Sequence, residues 1–154
     1  MHLLKRSRLF LVPLILLVSC APRAALTPQA AFHDLKEAFR ASDAAGLERQ
    51  LSLESVRKVR SMTGLFSRMD DHQLDALARK FNVPAERLKN LSVRDFCALT
   101  LGIDKGKNVI GIAVTRAIVG IDRKGRRAVI RVDNGMELPF VKEGPYWKFD
   151  MTGF

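Results

Sequence analysis

The spacing of apolar residues changes once along this chain, and the change separates a helical part from a strand part. Up to about residue 100 the apolar side chains recur at three and four residues; from 109 onward they form β-branched runs bounded by Gly, Pro and Asn. Gly102, Gly106 and Asn108 mark the loop between the two. Helices followed by strands, with no alternation between them, specify an α+β fold in which helices pack on an antiparallel sheet.

The helical part opens at Thr27, a capping residue with Pro28 at the first helical position, where the missing N–H costs nothing. Phe32, Leu35 and Phe39 give this helix a narrow buried stripe flanked by Lys36, Glu37 and Arg40. Ser42, Asp43 and Gly46 break it, and a short helical piece through Leu47 and Leu51 follows. Ser52 caps a third helix with Val56 and Val59 inward and Arg57, Lys58 and Arg60 outward. Asp70 and Gln73 have capping-box spacing ahead of Leu74, Leu77, Ala78 and Phe81, and Asn82 and Pro84 end that helix. Short helices over 85–89 and from Ser92 to about Thr100 complete this part, the last with Val93, Phe96, Cys97 and Leu101 along one apolar stripe.

Residues 109–121 read as a long, curved first strand, with Gly111 and Gly120 as places for a bulge. A polar turn over 122–127 leads to a strand over 128–133, and Asn134-Gly135 signals a two-residue hairpin. Residues 136–142 return, with Pro139 wanting an edge or a bulge. Glu143, Gly144 and Pro145 turn again, and 146–151 alternates with Trp147 and Phe149 on one face. The sheet is thus expected to be a curved four-stranded antiparallel meander.

The N-terminus reads differently. Lys5, Arg6 and Arg8 precede the apolar residues 9–18, which as a helix would rise only about 15 Å, half the hydrocarbon thickness. That is a secretory signal and not a membrane span. It closes on Leu17-Val18-Ser19-Cys20, which resembles the bacterial lipobox. The resemblance implies cleavage between Ser19 and Cys20, lipid on the Cys20 sulfur, and Cys20 as the first mature residue. Leu17 is bulky where ordinary signal cleavage wants a small residue. Ala21 follows where an aspartate would retain a lipoprotein at the inner membrane, so the outer membrane, facing the periplasm, is implied. The organisation is then signal peptide 1–19, lipidated tether 20–26 and one domain, 27–154, close to the bilayer.

The mature 135 residues suffice for one domain that hides roughly two thirds of its unfolded surface. Without Lys5, Arg6 and Arg8 the balance is 23 cations to 16 anions. This excess fits two readings: anionic partners such as lipid head groups, or solubility alone. Nucleic acid is excluded by compartment. If Cys20 carries lipid, Cys97 has no intramolecular disulfide partner and is expected to be a buried, inert thiol.

The helical part followed by a meander ending Leu138-Pro139-Phe140-Val141-Lys142-Glu143-Gly144-Pro145-Tyr146-Trp147-Lys148-Phe149-Asp150 resembles the NTF2-like, or cystatin-like, superfamily. Within it the chain is similar to small bacterial lipoproteins whose last hairpin reads apolar-Pro-apolar-x-x-acidic-Gly-x-Trp-Lys and whose first helix carries aromatics spaced as Phe32 and Phe39. The likeness spans 27–154. It departs where Pro145-Tyr146 intervene before Trp147 and where the helical stretch 61–100 is longer than the family pattern. It implies a cone with an apolar mouth, used by different members for isomerase, dehydratase, small-ligand or protein-binding roles.

No catalytic constellation stands out. Isomerases of this kind need an aspartate base with a tyrosine and a protonated acid; this chain has one tyrosine, Tyr146, and no carboxylate within an apolar strand pattern. His33 and Asp34 flank the first helix's buried stripe. Asp70-Asp71-His72 are adjacent on a helix and point apart, so no metal site is expected. The segment 102–108 is one residue short of a phosphate loop, lacks its Ser or Thr, and precedes a strand. The expectation is a non-enzymatic, cofactor-free envelope module that binds a protein partner or a small apolar ligand in the cone, with anionic head groups as a further partner; a pocket enzyme or a purely structural protein are the alternatives.

Overall fold

A computed structural model describes residues 25–103 and 106–154. The signal segment 1–19, the cleavage pair Ser19 and Cys20 and the tether as far as 24 lie outside the described residues. The described elements run α1 (Pro28–Arg40), α2 (Ala44–Gln50), α3 (Leu53–Phe66), α4 (Asp71–Phe81), α5 (Ala85–Lys89), α6 (Val93–Gly102), α7 (Val109–Thr115), then β1 (Ile118–Lys124), β2 (Arg127–Val132), β3 (Glu137–Glu143) and β4 (Tyr146–Phe149). The strands form one antiparallel sheet in the order β1-β2-β3-β4. The α+β class and the meander stand as the sequence implies.

Helix starts follow the capping residues. Thr27 Oγ1 accepts from Ala30 N–H at 3.1 Å, Ser52 Oγ from Ser55 N–H at 3.0 Å and Asp70 Oδ1 from Gln73 N–H at 2.8 Å. Ser92 and Asp95 form a complete capping box, each side chain accepting from the other's backbone N–H. Three expectations about the helices change. Gly46 does not break a helix but lies inside α2, buried. Phe81 leaves the apolar stripe of α4, which ends at Ala78, and is exposed. The third change is larger: residues 109–121 are not one strand, because 109–115 form α7 and only from Ile118 does β1 begin. Asn108 Oδ1 accepts from Gly111 N–H at 2.9 Å, and Ile110, Ala113 and Val114, at helical spacing, are buried. Docking of that stripe outweighs the β propensity of the residues around it.

The sheet also departs in detail. Asp122 to Lys124 belong to β1, so the turn is only Gly125-Arg126. The hairpin at Asn134 uses three loop residues and not two: Gly135, at φ 81, donates to Val132 O at 2.9 Å, and Val132 N–H reaches Met136 O at 3.0 Å. Pro139 stands in the internal strand β3, neither at an edge nor at a bulge. The register explains it: Pro139 O accepts from Asp150 N–H at 2.9 Å just beyond the last β3–β4 pair, Phe140 with Phe149, so the N–H it lacks falls at the end of that ladder.

The core lies between α1, α2, α3, α6 and α7 and one face of the sheet. Phe32, Leu35, Val59, Ile130, Leu138, Phe140, Trp147 and Phe149 are buried there, each contributing roughly 1.5–3 kcal/mol of hydrophobic stabilisation. Leu74, Ala78, Leu88 and Leu91 form a satellite core beneath α4 and α5. Ala25 is buried too, and its carbonyl accepts from Trp147 N–H at 2.8 Å, which fixes Ala25 at the β4 edge.

Candidate binding groove

The residues singled out in the sequence do not converge. His33 is exposed; Asp34 is half-buried, and burial raises its pKa against the opposing pull of His33 and Lys148. Asp70 caps α4, Asp71 pairs with Lys89 at 2.8 Å and His72 is exposed. Among the described residues no group of three His, Cys, Asp or Glu is placed to hold a metal. Tyr146 is exposed. Cys97 is buried as its stripe implies, and its thiol is pushed up to about 12, first by burial and then by Glu48. Arg123, near the end of β1 and paired with the inward Ala128, turns onto the inner face, its guanidinium 5.1 Å from the Trp147 ring centroid.

Nor is the interior open. Between helices and sheet, Phe39, Leu47, Leu51, Phe96, Cys97, Ile110, Phe149 and their neighbours leave a void of about 10 Å³, at most a single water. That void is too small for a ligand.

A groove of about 500 Å³ lies outside that core, where α1, the end of α6 and α7 meet. Its apolar wall is Phe39 from α1, Leu101 and Ile103 from the end of α6, and Ile112 and Val114 from α7. Lys36 and Arg40, one helical turn apart on α1, and Arg116 at the end of α7 supply three cations. Asn108 joins the two sides: its Nδ2 donates to Thr100 O at 2.7 Å while its Oδ1 caps α7, so both halves of the amide are engaged. Gly111 permits this closeness, since a Cβ there would lie 3.1 Å from Asn108 Cγ.

The three cations differ in their partners. Arg40 reaches Glu37 at 2.7 Å, and that hydrogen bond lowers the Glu37 pKa. Arg116 stands 4.0 Å from Asp133, at the limit of an ion pair. Among the described residues Lys36 has no ion-pair or hydrogen-bond partner, and it is half-buried, its stem along the wall. Among the described residues the lining holds no carboxylate and no imidazole. A second hollow, about 420 Å³ at the C-terminal end of α4, is open and built by one helix end and its cap, with Ala78 and Val83 as its apolar part.

Sequence reading puts Phe39 in the first helix's buried stripe with Lys36 and Arg40 at its flanks but misses the groove, whose opposite wall is the helix read as a strand. The available signal was Asn108 three residues before Gly111, followed by Ile110, Ala113 and Val114 at helical spacing. Compared with known proteins, the chain matches no family model, and no curated protein or solved structure is significantly similar to it.

Proposed function

We propose that this chain is a membrane-anchored bacterial lipoprotein of NTF2-like descent, held through lipid on Cys20 at the outer membrane and facing the periplasm. In this reading it is a non-enzymatic binding module, and its ligand, small and apolar, occupies the groove between α1, α6 and α7. The observation that carries the reading is the groove itself: about 500 Å³, within the range of small-molecule sites, with an apolar wall from three elements. The lipobox-like residues 17–20 support the anchor, and helices preceding an antiparallel meander suit the suggested descent. The filled interior argues against a ligand in the cone and moves the binding site to the groove. The lack of carboxylate or imidazole among the described lining residues favours binding over catalysis.

Photocrosslinking in intact cells tests this. With a photoreactive residue at Thr115, an adduct to a small apolar molecule is expected, absent when the same residue replaces Gln29, which is exposed and outside the groove lining. A protein adduct at Thr115 would replace the small ligand by an envelope protein partner. Equal labelling from both positions would overturn the groove as the site. For the anchor, cells fed an alkyne fatty acid should label the wild-type chain and not Cys20→Ala; equal labelling would overturn lipidation at Cys20.

A further inference from the structure

We infer that the occupant of the groove is an amphipathic anion, a medium-length acyl chain ending in a single carboxylate or phosphate; this rests on the groove being the ligand site. The apolar wall of Phe39, Leu101, Ile112 and Val114 suits methylenes, while Lys36, Arg40 and Arg116 bring positive charge to the same groove from two elements. Glu37 largely neutralises Arg40, whereas Lys36 has no partner among the described residues and Arg116 only a distant one. Lys36 and Arg116 are therefore the two cations with charge left for a ligand. A wholly neutral apolar ligand leaves that charge unanswered, and a cationic one meets it as repulsion. The size follows from the volume: at about 30 Å³ per heavy atom, the share of one water in the liquid, 500 Å³ admits roughly sixteen heavy atoms.

Equilibrium dialysis of the full chain held in amphipol, against dodecanoate, dodecyl phosphate, dodecanol and dodecyltrimethylammonium below micelle-forming concentrations, tests the inference. The two anions should bind roughly two- to fivefold more tightly than dodecanol, the gain that a partly exposed charge contact supplies, with the ammonium weakest. The ratio of dodecanoate to dodecyl phosphate then tells a carboxylate from a phosphate source. Lys36→Gln with Arg116→Gln should bring dodecanoate down to the affinity of dodecanol and leave dodecanol unchanged. Ile112→Trp, and separately Thr115→Trp, should abolish binding of all four while the melting temperature shows the fold retained. Equal affinity for dodecanoate and dodecanol would overturn the anionic head and spare the groove. No binding by any of the four, or binding that survives both Trp variants, would remove the groove as the ligand site and this inference with it.

Discussion

At the scale of single residues, burial decides more than chemical type. Cys97 has the atom for nucleophilic work, yet α6 points it into the core, where burial penalises the thiolate and Glu48 adds to the penalty against a smaller pull from Arg94. Its burial was legible in the stripe Val93, Phe96, Cys97 and Leu101; the influence of Glu48 was not, because that residue reaches the site through the packing of α2 on α6. The raised pKa has a signed consequence for stability. Below pH 9.0, the ordinary value, folded and unfolded chains both keep the proton and the contribution is fully present. Above it the unfolded chain loses the proton and the folded one keeps it until about pH 12, so stability falls by about 1.4 kcal/mol per pH unit in that window. Urea unfolding between pH 8 and 11 should therefore show a steeper decline in the wild type than in Cys97→Ala, whose overall stability is lower through lost packing. Parallel curves would mean that the thiol ionises alike in both states.

At the scale of elements, most of the fold was legible wherever a capping side chain met a clear apolar period, as at Thr27, Ser52, Asp70 and Ser92. It failed at 109–115, where a continuous apolar run satisfies helical and strand periods equally and the β-branched residues tip the reading to a strand. The deciding interaction is a side-chain bridge that no apolar period reports: Asn108 ties the last turn of α6 to the first turn of α7. Replacing Asn108 by Ala leaves Thr100 O and Gly111 N–H without that partner in a buried setting and should cost about 1–3 kcal/mol in urea unfolding. Gly111→Ala keeps the amide but sets a Cβ 3.1 Å from Asn108 Cγ, a crowding that opposes the gain of about 1 kcal/mol that Ala brings to a helix. If Asn108→Ala unfolds at the wild-type midpoint, the amide is not what holds α7. The groove shares this element, and therefore its invisibility in the sequence: one wall cannot be drawn until α7 is known to be a helix.

At the scale of the molecule, the sheet turns an apolar face to the core and most of its strand charges to the other face. Ala128, Ile130, Val132, Leu138, Phe140, Trp147 and Phe149 alternate inward, so the register sends Lys124, Arg127 and Arg131 to the outer face with Asp122 and Glu137, while Lys148 Nζ turns back to donate to Arg49 O at 2.5 Å and the Glu143 carboxylate accepts from Leu53 N–H at 2.7 Å. If Cys20 is anchored, the five residues from there to Ala25 span at most about 18 Å, and Ala25 is bound to the β4 edge, so this basic face lies within reach of the bilayer. Each cation near an anionic leaflet is worth about 1 kcal/mol, so a surplus of one biases the orientation of a tethered domain but does not hold an untethered one. The full chain, spin-labelled at Val119→Cys on exposed β1 and reconstituted in vesicles, should be relaxed more strongly by nickel-chelating lipid when the bilayer is anionic than when it is neutral. The difference should vanish near 1 M salt, where the screening length falls to about 3 Å, and in Lys124→Glu with Arg127→Glu. Relaxation that is the same in anionic and neutral vesicles would assign the basic excess to solubility alone.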